Sequence, residues 1–283
     1  MTIGEIAVIG SGQMGSGIAQ VASLAGYSVL LIDIKEEYLT KAMSNIEFSL
    51  GKFVSKEKLT QKESDDAISN IKTSTSMEDC SNADLVIEAV PEIPELKKNI
   101  FSELDKICKE NTILASNTSS ISINELANAT ERPELVIGMH FMNPVPLMKL
   151  VEIIRGKDTT DSVCDTITNA TESMGKTPLF CNDSPGFVSN RILCPMINEA
   201  ILTLQEGVAE PKAIDGIMKL GMNHPIGPLA LADLIGLDTV LHIMNVLHSG
   251  FEEQKYAPAA LLEKMVSEGK LGRKTGIGFY EYD

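Results

Sequence analysis

The feature that most constrains this chain is its opening, Glu5-Ile-Ala-Val-Ile-Gly-Ser-Gly-Gln-Met-Gly-Ser-Gly17. A short apolar run of β-forming residues feeds into Gly10-x-Gly12-x-x-Gly15, and a helical pattern from Ser16 to Ala25 follows at once. A tight turn at Gly10, bare backbone at Gly12 and a close helix–strand approach at Gly15 together build a cradle for a dinucleotide pyrophosphate. The helix that follows, entered through Gln13 and Met14, offers unpaired N–H groups and a partial positive charge to the anion. A second run, Ser28-Val-Leu-Leu-Ile-Asp33, ends in a carboxylate where the adenosine ribose of such a cofactor lies. An acid there accepts the ribose hydroxyls of NAD(H) and repels the extra phosphate of NADP, although the neighbouring Lys35 softens that repulsion. The expected cofactor is therefore NAD(H), held by Gly10, Gly12, Gln13, Met14, Gly15 and Asp33.

Bulk properties narrow the partners. With 24 basic and 39 acidic residues the formal net charge is −15, which argues against nucleic acid or an anionic membrane surface. The chain has no tryptophan, so it lacks the strongest stacking platform for single strands. No apolar run reaches the length of a membrane span, and the N-terminal run lacks a basic leader and reads as a first strand. The five cysteines, Cys80, Cys108, Cys164, Cys181 and Cys194, are scattered, odd in number and free of a C-x-x-C pair. They read as reduced thiols of a cytoplasmic protein. No His or Cys cluster has the spacing of a metal site, so no metal is expected.

The pattern along the chain alternates strand and helix. From Lys35 to Ile71 runs a stretch too long for a simple crossover helix. Leu39, Met43, Ile46, Leu50, Phe53 and Val54 recur at three- and four-residue steps, then Ile68 and Ile71 resume after a break near Ser55–Thr60. A pair of helices is expected. Short apolar runs beginning at Asp84, Thr112 and Glu134 read as strands buried on both faces of a parallel sheet. Leu147–Ile154 and Thr177–Cys181 read as two more. After the turn-rich Asn182-Asp-Ser-Pro-Gly186 the strands stop. Helices are expected over Val188–Glu206, Pro211–Gly221, Pro228–Leu247 and Pro258–Glu268. The fold class is α/β: a Rossmann-type, mainly parallel sheet with a helix-pair insertion, followed by an all-α C-terminal domain. The expected boundaries are 1–184, with the helical arm at about 35–71, and 185–283. The high apolar content of the C-terminal helices points to an oligomer, with a homodimer expected; the alternative is that these faces pack on one another and on the first domain.

Three places carry candidate chemistry. Ser116-Asn-Thr-Ser-Ser120 follows an apolar strand, where ligands gather in open α/β sheets. The same residues also suit a helix N-cap, because Ser122–Ala129 reads as helical. His140, one of four histidines, ends another strand. A turn through Asn143–Pro146 brings Glu152 back beside it, and a carboxylate there fixes the imidazole tautomer and stabilises the imidazolium. That pairing suits an acid/base, and a satisfied core histidine would look the same. Asn190 stands on the first turn of the helix that opens the second domain, where an amide can reach a ligand or simply face water.

These segments have a specific resemblance. Gly10-x-Gly12-x-x-Gly15-x-Gly17, Ser116-Asn-Thr-Ser-Ser120, His140-Phe-Met-Asn-Pro144, Lys149-Leu-Val-Glu152, Pro185-Gly-Phe-Val-x-Asn-Arg191 and Gly272-Arg-Lys-Thr-Gly-Ile-Gly-Phe-Tyr280 occur in that order across nearly the whole chain. In motif order and spacing the sequence resembles the L-3-hydroxyacyl-CoA dehydrogenase family, nearest to its compact bacterial members. It departs at Met142, where a second aromatic is common, and at Ile277, where a basic residue is common.

The resemblance implies an NAD-dependent enzyme interconverting acetoacetyl-CoA and L-(S)-3-hydroxybutyryl-CoA, in butyrate- or butanol-type fermentation or in fatty-acid metabolism. It implies His140 as acid/base oriented by Glu152, with Ser119 and Asn190 on the substrate's 3-oxygen. Asn117 then lies by the nicotinamide or thioester, and Glu92 and Lys97 by the cofactor's ribose and carboxamide. The helix pair folds over CoA, and Lys52 and Lys56, in the basic island completed by Lys58 and Lys62, are the expected phosphate contacts. A free hydroxy acid as substrate, or a non-catalytic NAD-binding role, are the competing readings.

Overall fold

The structure, a computed structural model, describes residues 2–282. It divides into two compact units, Met1–Asp183 and Ser184–Asp283. In the first, the apolar run Glu5–Ile9 forms β1 and is followed by α1 (Gln13–Leu24), β2 (Ser28–Ile32), α2 (Glu36–Ser55), α3 (Gln61–Ser69) and β3 (Ile71–Ser74). Then come β4 (Leu85–Glu88), α4 (Pro94–Ile107), β5 (Ile113–Ser116), α5 (Ile123–Ala127), β6 (Val136–Phe141), β7 (Leu150–Arg155), α6 (Asp161–Ser173) and β8 (Thr177–Asn182). The eight strands form one sheet in the order β3-β2-β1-β4-β5-β6-β7-β8. The first six are parallel, β7 runs antiparallel to β6, and β8 is parallel to β7. β4 and β5 are buried throughout, as strands covered on both faces must be. Because β1, β2, β4, β5 and β6 share one direction, their carboxyl ends line a single edge, where open α/β sheets bind ligands.

The helix pair is present, and its role in the topology differs from a plain insertion. Ile71 does not continue α3: it opens β3, which pairs with the far side of β2. The two helices are therefore the crossover between β2 and β3. β3 has the sequence Ile-Lys-Thr-Ser and two exposed positions, so this edge strand lacks the apolar run by which its neighbours announce themselves. Leu39, Ala42, Ile46 and Leu50 of α2 and Ala67 of α3 enter the same core as the sheet, while Phe53 and Val54 are only half-buried. Thr60 and Glu63 form a reciprocal capping box at the start of α3, which places the break in the pair. At the other end of the unit, β7 starts at Leu150, because 147–149 belong to the preceding loop.

The second unit contains α7 (Ser189–Gln205), α8 (Pro211–Gly221), α9 (Pro228–Ile235), α10 (Leu237–Phe251) and α11 (Ala260–Ser267) around their own apolar core. The stretch from Pro228 is two helices bent by 98°, not one. Gly236 has φ 102°, and only a residue without a side chain takes that conformation readily, so the break sits there. Among the described residues no single helix is long and apolar enough to cross a membrane.

Two buried aspartates organise this unit. Asp215 accepts the N–H groups of Leu229 and Ala230 at 2.8 and 2.9 Å, capping α9 from outside the helix. Asp233 accepts the N–H groups of Phe279 and Tyr280, both at 3.0 Å, and the Tyr282 hydroxyl at 2.9 Å. The terminal glycine motif is thereby explained: a Cβ at Gly278 would lie 2.0 Å from Asp233 Oδ1, and one at Gly272 would lie 2.3 Å from the Asp233 carbonyl. Burial pushes the Asp233 carboxyl above the ordinary aspartate range, against the pull of its three donors. Replacing Asp233 with Ala orphans two backbone donors and frees the tail. The expected cost is about 2–4 kcal/mol, read as a lower urea midpoint with an unchanged m-value.

Candidate active site

The site begins with the glycine loop. Gly10 has φ 97°, and a Cβ there would meet the Ala89 carbonyl oxygen at 2.8 Å. A Cβ at Gly15 would stand 1.8 Å from the Gly10 oxygen, so helix and strand touch through hydrogen alone. Around Gly12 the reverse holds: nothing lies within 4 Å of a Cβ position. The N-terminus of α1 has no side-chain cap and no acid in its first turn. Open space, bare backbone and a positive helix end are what a pyrophosphate requires. Asp33 is half-buried at the end of β2, where Oδ2 accepts the Ser11 N–H and hydroxyl, both at 2.7 Å, and Oδ1 accepts the Ile34 N–H at 2.7 Å. This carboxylate thus clamps the glycine loop and keeps acceptor capacity for a ribose. Lys35 lies 3.9 Å from Glu37 and over the Tyr38 ring. These residues fit NAD(H): Gly10, Gly12 and Gly15 shape the cradle, Gln13 and Met14 open the helix, and Asp33 holds an anionic acceptor beside it.

Further along the same edge, a network ties the ends of β4 and β5. Lys97 is fully buried, and its Nζ donates to both oxygens of Glu88 at 2.7 and 3.0 Å and pairs with Glu92 at 3.2 Å. Glu88 also accepts the Ser116 hydroxyl at 2.6 Å. Glu92 Oε1 accepts the Thr118 hydroxyl and the N–H groups of Ser119 and Ser120 at 2.6, 2.8 and 3.0 Å. The 116–120 loop is therefore set by Glu92, while Ser122 separately caps α5. In this geometry Glu92 and Lys97 shape the loop that carries Asn117 and Ser119. Glu88 is absent from the residues that the sequence singles out, although an acid closing the apolar run Leu85–Glu88 is a visible signal, since a buried charge demands a partner. Asn117 reaches across to β6, where its Oδ1 accepts the Phe141 N–H at 2.9 Å.

Beside that contact stands His140. The β6–β7 register places it directly opposite Glu152, and both side chains are almost wholly buried, at 8% and 5% exposure. His140 Nδ1 lies 3.0 Å from Glu152 Oε2, and the Cys181 thiol donates weakly to Glu152 Oε1 over 3.9 Å. Among the other cysteines, burial pushes the Cys194 thiol up to about 12, in keeping with an inert core residue. Asn190 belongs to the second unit, on the first turn of α7. Lys52, in the last turn of α2, lies 4.2 Å from the exposed Phe48 ring, and Lys56 is the residue after that helix ends.

A six-strand 3-2-1-4-5-6 order, a glycine cradle and an acid ending β2 define a dinucleotide-binding protein of the Rossmann type. The comparisons then specify it. Residues 5–184 match the family described as 3-hydroxyacyl-CoA dehydrogenase, NAD binding domain, and residues 186–282 match 3-hydroxyacyl-CoA dehydrogenase, C-terminal domain. A probable 3-hydroxybutyryl-CoA dehydrogenase of Deinococcus radiodurans is 57% identical over 98% of this chain and all of its own length. A 3-hydroxybutyryl-CoA dehydrogenase of Clostridioides difficile is 50% identical over 99% of each chain. The crystal structure of (S)-3-hydroxybutyryl-CoA dehydrogenase from Ralstonia eutropha matches with a TM-score of 0.97 at 50% identity, both chains covered in full. The chain belongs to the 3-hydroxyacyl-CoA dehydrogenase family, and its first unit is that family's NAD-binding domain, with NAD(H) as cofactor.

The Glu92 network makes a pH prediction. Burial raises the Glu92 carboxyl, but the Lys97 charge and the donors on Thr118 and Ser119 outweigh it and hold the group below the ordinary glutamate range. A native pKa below the unfolded one contributes stability that is present at neutral pH and is lost as pH falls through the native value. Glu92→Gln is expected to cost about 1–3 kcal/mol at neutral pH. Urea titrations should show that gap to wild type closing as pH drops below about 4.3, the unfolded glutamate value.

Proposed function

We propose that this protein is an NAD-dependent 3-hydroxyacyl-CoA dehydrogenase that interconverts acetoacetyl-CoA and L-(S)-3-hydroxybutyryl-CoA. The observation that carries the reading is the buried His140–Glu152 pair, at the same sheet edge as the glycine cradle. NAD(H) held at the glycine cradle by Gly10, Gly12 and Gly15, with Asp33 on its ribose, would supply the hydride chemistry at C3 of the acyl group. His140 gives the proton to the C3 oxygen in reduction and removes it in oxidation, through Nε2. Glu152, on Nδ1, fixes the tautomer and balances the imidazolium in a site whose burial strengthens the pair. Ser119 and Asn190 hold the C3 oxygen and polarise the carbonyl. Asn117 offers its amide N–H groups to the nicotinamide or the thioester, since its oxygen is already used by Phe141. Glu92 and Lys97 lie by the cofactor's ribose and carboxamide side and keep the serine loop in place.

The arm formed by α2 and α3 is the proposed CoA cover, with Lys52 and Lys56 on the phosphates, and the second unit is the proposed dimerisation unit. Its exposed apolar side chains Ile217, Leu220, Met222 and Leu234 support a homodimer. We place the enzyme in the cytoplasm, where its five free thiols stay reduced.

The deciding experiment is initial-rate consumption of NADH with acetoacetyl-CoA, beside NADPH in parallel. Rapid turnover with NADH and little with NADPH is expected, whereas no turnover with either rejects the reading. His140→Gln should retain the fold and lose a factor on the order of 10²–10⁴ in kcat. Exchanging Lys52 and Lys56 together for Ala should raise KM for acetoacetyl-CoA while kcat and the KM for NADH hold. A free hydroxy acid substrate would leave KM unmoved.

A further inference from the structure

The loop that joins His140 to Glu152, residues 142–149, is held from beneath by a lysine with no place in the chemistry above. α6 ends at Ser173 and is closed by Gly175, whose φ is 70°. The N–H groups of Gly175 and Lys176 return to the carbonyls of Glu172 and Thr171 at 2.9 and 3.2 Å. This helix-ending motif gives the backbone of Lys176 one position. The side chain is only 8% exposed, and its Nζ donates to the carbonyl oxygens of Val145 and Met148 at 2.5 and 2.8 Å. Among the described residues no carboxylate lies within ion-pair distance of it. Burial, with the like charge of the exposed Lys149, holds its pKa below the ordinary lysine range. A buried ammonium is a costly way to satisfy two carbonyls, so a purely structural need would be met more cheaply by a neutral donor.

The same loop is held from its other side by α1. Gln13 Nε2 donates to Asn143 Oδ1 at 3.1 Å. A Cβ on Gly17 would lie 2.8 Å from Val145 Cβ, so helix and loop are already in contact. A further tie is made at Lys149, whose carbonyl accepts the Thr177 N–H at 2.7 Å just before β7 begins. The span between the two members of the dyad thus has an anchor on the dinucleotide helix and another at Lys176.

We propose that Lys176 is a positioning residue for the His140–Glu152 pair: it sets the loop between them and thereby the approach of the carboxylate to Nδ1. The proposal rests on the acid/base reading of His140 and acts through the dyad, since Lys176 touches neither member. Misplacing a reacting group by about 1 Å costs up to 10²-fold in rate.

The test is Lys176→Met in two backgrounds, wild type and His140→Gln, with Lys149→Met as the control for loss of nearby charge. The expected result is a fall in kcat of roughly 10- to 100-fold in the wild-type background, with KM for NADH and acetoacetyl-CoA little changed. In the His140→Gln background Lys176→Met should remove almost nothing more, and Lys149→Met should leave wild-type turnover intact. Equal losses in both backgrounds, a loss expressed in KM, or no loss at all would overturn the proposal. A readout free of turnover is the ¹⁵N spectrum of the four histidines. The His140 signal, identified by its disappearance in His140→Gln, should move in Lys176→Met, and an unmoved signal rejects the role even where acetoacetyl-CoA proves not to be the substrate. If Lys176→Met does not fold, Gly17→Ala displaces the same loop from the α1 side and must give the same kcat loss and the same histidine shift.

Discussion

A buried carboxylate must be compensated within the protein, and each of these two units is organised round that requirement. In a chain with net charge −15, six acids collect their donors inside the protein. Asp33 takes the glycine loop, Glu88 and Glu92 take Lys97 and the serine loop, and Glu152 takes His140. Asp215 and Asp233 do the same for α9 and the tail. Asp33 and Glu88 stand at the ends of β2 and β4, Glu92 in the loop beyond β4, and Glu152, Asp215 and Asp233 within β7, α8 and α9. Their donors come from the glycine loop, the serine loop and the tail, from the side chains of Lys97 and His140, and from the first turn of α9. Because an unpaired acid in such a place is strongly unfavourable, each loop is confined to the conformation that supplies the donors.

That arrangement gives the ligand edge of the sheet its rigidity. The 116–120 segment is irregular, yet Thr118, Ser119 and Ser120 all converge on one oxygen of Glu92. Asn117 is then carried to β6, beside His140. The glycine loop is fixed in the same manner by Asp33 and is tied through Gln13 to the loop beyond His140. A site that must align a cofactor, a proton donor and a substrate oxygen benefits from donors fixed before the ligand arrives, because little reorganisation remains for the reaction to carry.

Much of this was legible from residue order. The glycine spacing, the acid ending β2 and the switch from strands to helices after Asn182 are local signals, and the sheet and helices follow them. The misread elements are those whose character is not local. β3 is a polar edge strand, defined by its pairing with β2 and not by an apolar run. The stretch from Pro228 keeps helical periodicity straight through the bend at Gly236. The partners of Glu92 and Lys97 are equally non-local: Lys97 pairs with Glu88 and Glu92, and Glu92 gathers the serine loop. Lys176 carries no motif, because its importance lies in the two carbonyl oxygens above it.

By itself the sequence determined the dinucleotide cradle, since only glycines of that spacing between a strand and a helix admit a pyrophosphate so closely. It also determined that a histidine and a glutamate would lie near one another, because a turn through Asn143–Pro146 returns the chain. Only the tertiary structure decided that they meet. One residue of slippage between β6 and β7 would turn Glu152 to the opposite face of the sheet. Which of the two registers forms is set by packing, by the loop contacts with α1 and Lys176 and by the burial of both strands, none of which is written in either strand alone.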